Sequence, residues 1–88
     1  MKVAFRESFR RDLSAVREKA ALERLRQVIE AIELCQSLGE IPNTKKLRGA
    51  PTYYRIRTGA YRVGVTFEGD RVTFVRFLHR KEIYRYFP

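Results

Sequence analysis

The second half of the chain holds three segments of alternating polar and apolar residues, joined by two-residue connections. The segments run from Tyr53 to Thr58, from Tyr61 to Glu68 and from Arg71 to His79. The connections are Gly59-Ala60 and Gly69-Asp70, and two-residue loops with glycine in the first position are typical of type II′ hairpin turns. The pattern therefore predicts a three-stranded antiparallel meander, and the N-terminal half has to cover one face of it.

The N-terminal half predicts a short strand followed by two helices. Lys2 to Arg6 can form the strand, and Ser8 can cap the first helix. Gly39 is a suitable C-cap for the second helix. Apolar residues recur at helical spacing in both helices: Phe9, Leu13 and Val16 in the first, and Leu22, Leu25, Ile29 and Ile32 in the second.

These elements predict an α+β fold in the order β-α-α-β-β-β. We expect the N-terminal strand and two antiparallel helices to pack on one face of a small antiparallel sheet, with a short C-terminal helical turn after His79. The whole chain, residues 1–88, is expected to form one domain, because a chain of 88 residues is too short for two independent cores.

Composition excludes several classes of protein. Cys35 is the one cysteine in the sequence, which excludes an intramolecular disulfide framework and a multi-cysteine zinc site. No apolar run approaches the ~20 residues that a membrane span needs, and the first residues lack the apolar region of a signal peptide. We therefore expect a soluble cytoplasmic protein, and nothing in the composition calls for a cofactor.

The charge of the chain is strongly uneven. The formal net charge is +9, and residues 45–88 hold eleven basic and three acidic side chains, a balance of +8. Fourteen of the nineteen basic residues are arginines, which bind phosphate through forked hydrogen bonds. This distribution indicates a polyanionic partner, either a nucleic acid or an acidic protein segment. The alternative is a basic surface that serves solubility alone.

The hairpin connections also predict a cluster of cations on one face of the sheet. With two-residue loops, Arg57 lies opposite Arg62 and Arg55 lies opposite Gly64. The same rule places Phe77 opposite Arg62 and puts His79 on that face, whereas Arg76 falls on the apolar face without an explanation. Like charges that face each other across a sheet repel by up to ~1 kcal/mol, so the cluster favours a bound anion.

Three neighbours of the cluster suggest how a nucleic acid could bind there. Gly64 leaves a hollow that a ligand backbone can approach, and Phe77 offers a ring on which a base can stack. A helical turn after His79 brings Arg80 and Tyr84 to one side, four residues apart. Histidine is the side chain that ordinarily exchanges protons near neutral pH, so His79 is a candidate acid or base; the alternative is a structural role.

Three motifs in order resemble those of the RelE/ParE superfamily of bacterial and archaeal toxins. Its K-L-x-G, Y-R-I-R-x-G-x-Y-R-V and H-R-x-x-x-Y landmarks match, and the two-helix region resembles its N-terminal half, so the resemblance covers essentially the whole chain. It implies a toxin of a type II toxin–antitoxin pair. In the RelE branch such toxins enter the ribosomal A site and cut the mRNA there. The matching runs are Lys46-Leu47-Arg48-Gly49, Tyr54-Arg55-Ile56-Arg57-Thr58-Gly59-Ala60-Tyr61-Arg62-Val63 and His79-Arg80-Lys81-Glu82-Ile83-Tyr84.

The resemblance also implies a chemistry in which the ribose 2′-hydroxyl attacks the scissile phosphate without a metal. By position, Arg55 and Arg57 match basic sheet residues of the RelE site, and Arg62 and Arg80 match its phosphate-binding arginines. Tyr84 matches its C-terminal tyrosine. The family's nucleases carry lysine at the first two positions, and because arginine stays protonated, Arg55 and Arg57 are expected to stabilise charge. His79, added by geometry, completes the expected catalytic set.

The implied partners are a small acidic antitoxin, held with the toxin in a hetero-oligomer, and the ribosome with its mRNA. The sheet motifs are shared with toxins that poison DNA gyrase, so a ParE-like activity is one alternative. A non-catalytic RNA-binding inhibitor of translation is the other. The expected contacts to RNA and ribosome are Lys45, Lys46, Arg48, Phe77, Lys81 and Arg85.

Overall fold

A five-stranded sheet with helices on both faces makes up the fold in the computed structural model, which describes all 88 residues. None of the helices is long and apolar enough to cross a membrane. In chain order the elements are β1 (Lys2–Phe5), α1 (Glu7–Ala15), α2 (Lys19–Leu34), a 3₁₀ turn (Leu38–Glu40), β2 (Thr44–Lys46), β3 (Tyr53–Thr58), β4 (Tyr61–Glu68), β5 (Arg71–His79) and α3 (Arg80–Tyr86).

The sheet is mixed, in the order β1-β5-β4-β3-β2. The predicted meander is present as β3, β4 and β5, and the α+β fold with two N-terminal helices is confirmed. The expectation of a purely antiparallel sheet is wrong, because β1 pairs in parallel with β5. At the other edge, β2 adds a short strand that the sequence pattern did not indicate, with Lys45 opposite Arg55.

The core lies between the sheet and the first two helices. Phe9 of α1 and Leu25 and Ile32 of α2 are buried there. The adjacent sheet residues are branched or aromatic side chains with at most 1% of their surface exposed: Ile56, Val63, Val65, Val72, Phe74 and Phe77. Ile83 and Phe87 are also buried, outside this cluster. They belong to α3 and the residue that follows it, which cover the opposite face of the sheet.

A β-bulge between β4 and β5 decides which side chains share a face. Thr66 pairs with Thr73 as predicted, but beyond Val65 the register shifts by one residue. An extra residue in one strand sends every later side chain to the other face. Phe77 therefore lies opposite Val63 and His79 opposite Tyr61. The prediction that these two side chains lie on the arginine face is wrong.

The same shift moves Arg76 off the apolar face, since it lies opposite Gly64. The Arg76 guanidinium donates to the carboxylate of Asp12 in α1, over distances of 2.8 Å from Nε and 3.0 Å from Nη2. These hydrogen bonds raise the pKa of the Arg76 guanidinium. The Phe77 backbone N–H also donates to Asp12, at 2.9 Å. Asp12 thus accepts hydrogen bonds from both backbone and side-chain donors of β5, where this strand extends beyond β1.

Ser8 does not cap the first helix as predicted. Arg6 is the N-cap residue, and Ser8 lies inside α1, where its Oγ donates to the Val75 carbonyl oxygen at 2.6 Å. The hydroxyl is used to hold α1 against the outer edge of β5 instead. Gly39 is not a C-cap either, because α2 ends at Leu34 and Gly39 belongs to the 3₁₀ turn.

Candidate functional site

An open cavity of about 410 Å³ lies where the arginine face of the sheet meets β2 and α3. Three arginines and a lysine line it, and no carboxylate does. Its residues come from the segment entering β2, from β3 and β4, and from α3: Asn43, Thr44, Lys45, Arg55, Arg57, Arg62 and Tyr84. Five of them, Lys45, Arg55, Arg57, Arg62 and Tyr84, are residues that the sequence predicts for an RNA site. We call these seven residues the arginine cavity.

The pairing of the hairpin brings the cations together. Arg57 lies opposite Arg62, and Arg55 lies between Lys45 on β2 and Gly64 on β4. Opposed cations repel across a sheet, and none of these four side chains forms an ion pair with a carboxylate. The local charge is therefore uncompensated within the chain, which favours binding of an anion in the cavity.

Neutral acceptors hold two of the guanidinium groups in place. Arg57 Nη2 donates to Asn43 Oδ1 at 3.1 Å, and Arg62 Nη1 donates to the carbonyl oxygens of Gly59 and Tyr61 at 3.0 and 2.9 Å. A guanidinium carries five N–H donors, so most donors of each group remain for a ligand. Carbonyl and amide oxygens position these groups without cancelling their charge.

Arg55 is oriented by an aromatic ring from α3. Its guanidinium carbon lies 4.4 Å from the centroid of the Tyr84 ring, within the range of a cation–π contact. Tyr84 is 67% exposed, so most of its side chain is open to solvent. The contact links the sheet to the C-terminal helix across the cavity.

The hollow predicted at Gly64 is filled by the chain itself. A Cβ at Gly64 would lie 2.7 Å from Phe87 Cδ1, so the Phe87 ring needs a glycine beneath it. The ring also packs against Tyr53, with centroids 5.4 Å apart. Gly64 therefore serves to anchor the end of α3, which carries Tyr84, and leaves no space there for a ligand backbone.

His79 does not line the arginine cavity. Its Nδ1 accepts a hydrogen bond from the Lys81 backbone N–H at 3.2 Å, which makes it the N-cap of α3. Its ring lies edge-on to Tyr61 on the face that packs against α1 and α2, with ring centroids 5.6 Å apart. Position and hydrogen bonding are those of a structural histidine.

The other residues predicted for the RNA site lie outside the arginine cavity. Phe77 is 1% exposed and stacks on Tyr61, so its ring offers no face to a base, and that prediction is wrong. Lys46 and Arg48 share a neighbouring cavity of about 310 Å³ with Lys45 and Arg55. Three further basic residues are exposed on α3 outside the arginine cavity: Arg80, Lys81 and Arg85.

Two lining residues, Asn43 and Thr44, were not expected from the sequence, where Ile41-Pro42-Asn43-Thr44 indicates only a connection. Asn43 has a positive φ of 63°, a conformation that asparagine tolerates better than most residues. Its carbonyl oxygen accepts from the Arg57 backbone N–H at 3.0 Å, which continues the pairing of β3 past the start of β2. An asparagine two residues before the basic pair Lys45-Lys46 was the available signal.

Comparison with known proteins identifies the family. Residues 3–84 match the family model described as the ParE toxin of type II toxin–antitoxin system, parDE. The chain is also 43% identical, over 89 residues, to Toxin RelE3 from Methanocaldococcus jannaschii, and the match covers all of both proteins. A family model of ParE and a relative named RelE agree on the superfamily, and the relative favours the RelE side of it.

Solved structures give the same result. The RelB-RelE antitoxin-toxin complex from Methanococcus jannaschii matches with a TM-score of 0.83 and 40% identity, covering 97% of this chain and 99% of the matched one. YafQ from E. coli strain BL21(DE3) shares the fold, with a TM-score of 0.74 at 10% identity over 94% of this chain and 97% of that chain. The chain belongs to the RelE/ParE superfamily of toxins from type II toxin–antitoxin systems, on its RelE branch.

Proposed function

We propose that this toxin is an endoribonuclease that cleaves translated mRNA in the ribosomal A site. The observation that carries the proposal is the arginine cavity, in which Arg55, Arg57, Arg62 and Lys45 converge without a carboxylate. A phosphodiester that passes from one negative charge to the two of a phosphorane is the kind of group that such a cavity stabilises. Similarity to a relative named RelE supports the ribosomal setting.

The reaction is an in-line transesterification within the RNA. The ribose 2′-oxygen bonds to the phosphorus as the bond from phosphorus to the 5′-oxygen breaks, which leaves a 2′,3′-cyclic phosphate and a 5′-hydroxyl end. The 2′-hydroxyl proton goes to a base, and the leaving 5′-oxygen takes a proton from an acid. The reaction consumes no other reactant, so positioning, charge stabilisation and proton transfer are the tasks of the site.

The lining residues divide between these tasks. Arg57 and Arg62 contact the non-bridging oxygens, since their guanidinium groups are held with free donors towards the cavity. Arg55 adds charge and fixes the Tyr84 ring. Arginine stays protonated, so it is not the base. Lys45 and Tyr84 are the other ionisable side chains that line the cavity, and we assign proton transfer to this pair in place of His79.

Cleavage in a defined translation system tests the proposal. Purified toxin is added to ribosomes stalled with a chosen codon in the A site, and RNA ends are mapped by primer extension. We expect cuts within that codon, and none in a copy of the message without a start site. Equal cleavage of both copies, or of neither, would contradict ribosome-dependent cleavage.

A gyrase poison is the second candidate, because the matching family model is one of ParE. Supercoiling assays with purified gyrase distinguish the two activities. Accumulation of cleaved DNA with gyrase, and intact mRNA on ribosomes, would replace the nuclease proposal. Growth arrest with both mRNA and DNA intact would indicate an inhibitor that binds RNA without cutting it.

We also propose that an acidic antitoxin binds the chain in a hetero-oligomer in the cytoplasm, where ribosomes are available. The related complex from Methanococcus jannaschii contains RelB and RelE, and the +8 balance of residues 45–88 suits an acidic partner. Co-expression with the protein encoded beside this toxin, followed by co-purification, tests it. Failure of any neighbouring acidic protein to bind would contradict it.

A further inference from the structure

A second groove of about 320 Å³ joins the arginine cavity around the edge of the sheet. It runs between α2 and the β3–β4 hairpin, and Asn43 and Arg57 line both spaces. At the junction the Arg57 backbone N–H donates to the Asn43 carbonyl oxygen and the Arg57 guanidinium donates to Asn43 Oδ1, so the two spaces meet across this bonded pair. A chain that places one phosphate in the arginine cavity would cross this pair to reach the groove.

The lining of the groove combines the groups that recognise a nucleotide. Its apolar lining includes the buried Ile41 and Ile56 and the exposed Ala31 of α2. Gln27 and Asn43 supply amide groups, which pair with base edges as both donors and acceptors. No carboxylate lines it, so an RNA backbone meets no repulsion.

A cation lies at the end of the groove near the hairpin turn. The Arg24 guanidinium lies against Gly59, where a Cβ would be 2.9 Å from Arg24 Nε, and Gly59 has a φ of +62°. The Gly59 carbonyl oxygen also accepts from Arg62 Nη1. An arginine from each of the two spaces therefore lies beside this turn.

We propose that this groove is a nucleotide subsite that binds the base and phosphate next to the scissile phosphate and sets sequence preference. The inference rests on the proposed ribonuclease function. Arg24 contacts the neighbouring phosphate, Gln27 and Asn43 contact the edge of the base, and the apolar lining accepts its face. Continuity with the arginine cavity favours RNA over a protein segment as the occupant.

Two alanines on α2 provide a matched test. Ala31 lines the groove and Ala20 does not, and both are exposed on the same helix. Ala31→Leu narrows the groove, whereas Ala20→Leu makes the same chemical change elsewhere. The measurement is the distribution of cut sites on ribosomes programmed with randomised A-site codons. We expect Ala31→Leu to lower cleavage beside purines relative to pyrimidines by about tenfold, as steric exclusion from a pocket does, with Ala20→Leu matching the wild type.

Arg24→Gln provides a second measurement. It is expected to raise KM by about tenfold through loss of a charge-assisted contact, while Arg10→Gln, an equal charge change at an exposed site on α1, leaves KM at the wild-type value. A wild-type cut-site distribution in Ala31→Leu, or a wild-type KM in Arg24→Gln, would overturn the subsite.

The outcomes separate the subsite from the function on which it rests. Absence of cleavage by the wild-type protein refutes the proposed function and removes the subsite with it. Cleavage by the wild type with no change in the variants overturns the subsite alone. Weaker antitoxin binding by Ala31→Leu, with its cut sites unchanged, would assign the groove to the antitoxin and also overturn it.

Discussion

The Phe87 ring occupies the space that a side chain at Gly64 would need. A Cβ at Gly64 would lie 2.7 Å from the ring, and Phe87 is 4% exposed. With Ile83, which is fully buried, Phe87 fixes α3 across the arginine face of the sheet. The position of Tyr84 above Arg55 therefore depends on a contact made by a glycine in the middle of β4.

Gly64→Ala should lower both stability and activity. The added methyl group overpacks a filled space, which costs about 1–3 kcal/mol in the free energy of unfolding, and displacement of α3 moves Tyr84 away from Arg55. Denaturant unfolding and single-turnover cleavage measure the two effects. Gly39→Ala is the control, because its Cβ would meet nothing closer than 3.8 Å. Unchanged stability in Gly64→Ala would mean that Phe87 does not pack on the strand in solution.

Arg62→Ala and Arg80→Ala should differ, although the family resemblance assigns both to the phosphate. Arg62 lines the arginine cavity and Arg80 does not. Loss of a contact to the transition state costs about 3 kcal/mol, so we expect Arg62→Ala to lower the cleavage rate by about 100-fold with an unchanged melting temperature. Arg80→Ala should lower it by less than about tenfold. Equal reductions of the cleavage rate in single-turnover assays would show that the ribosome brings Arg80 to the phosphate.

Thr44→Val should stabilise the protein. Thr44 Oγ1 is buried without a hydrogen-bond partner, and an unsatisfied buried hydroxyl costs about 1–3 kcal/mol. Valine keeps the shape and the β-branch while removing the hydroxyl, so we expect the free energy of unfolding to rise by about 1 kcal/mol. Thr52→Val, at a residue outside the strands, serves as the comparison. A decrease in stability on replacing Thr44 would mean that its hydroxyl is satisfied in solution.

Salt should slow association of the antitoxin with the toxin and leave the dissociation rate almost unchanged. Electrostatic attraction to the +8 half of the chain accelerates association and is screened by ions, whereas dissociation depends mainly on short-range contacts. Stopped-flow measurements across a series of ionic strengths should show an association rate that falls steeply and a dissociation rate that changes little. A salt-independent association rate would place the antitoxin away from the basic surface.

The β3–β4 hairpin was predictable because a two-residue loop leaves one register. Arg57 and Arg62 face each other as expected, and that pair forms the centre of the cavity. The bulge before Val65 was not predictable, since it depends on how α1 holds β5 through Asp12 and Ser8. The one sign of the bulge in the sequence was that the predicted register placed Arg76 on the apolar face.

The wrong placement of Phe77 and His79 follows from this one-residue shift in register. With the bulge included, Phe77 falls into the core and His79 caps α3. Strand β2 was missed for another reason, since Thr44–Lys46 is three residues long and mostly exposed, with no alternation to read. Lys45 was expected to contact RNA, but its position directly opposite Arg55 could be seen only from the fold.

The outermost strands of the sheet also bear on how the isolated chain behaves at high concentration. Strands β1 and β2 are four and three residues long, and each carries lysine. The part of β5 that extends beyond β1 is covered by α1, whose Ser8 and Asp12 side chains hydrogen-bond to its backbone. Short, lysine-bearing edges resist the strand-to-strand pairing that leads to aggregation. A toxin separated from its partner is thereby protected from self-association by the same sheet that carries its cations.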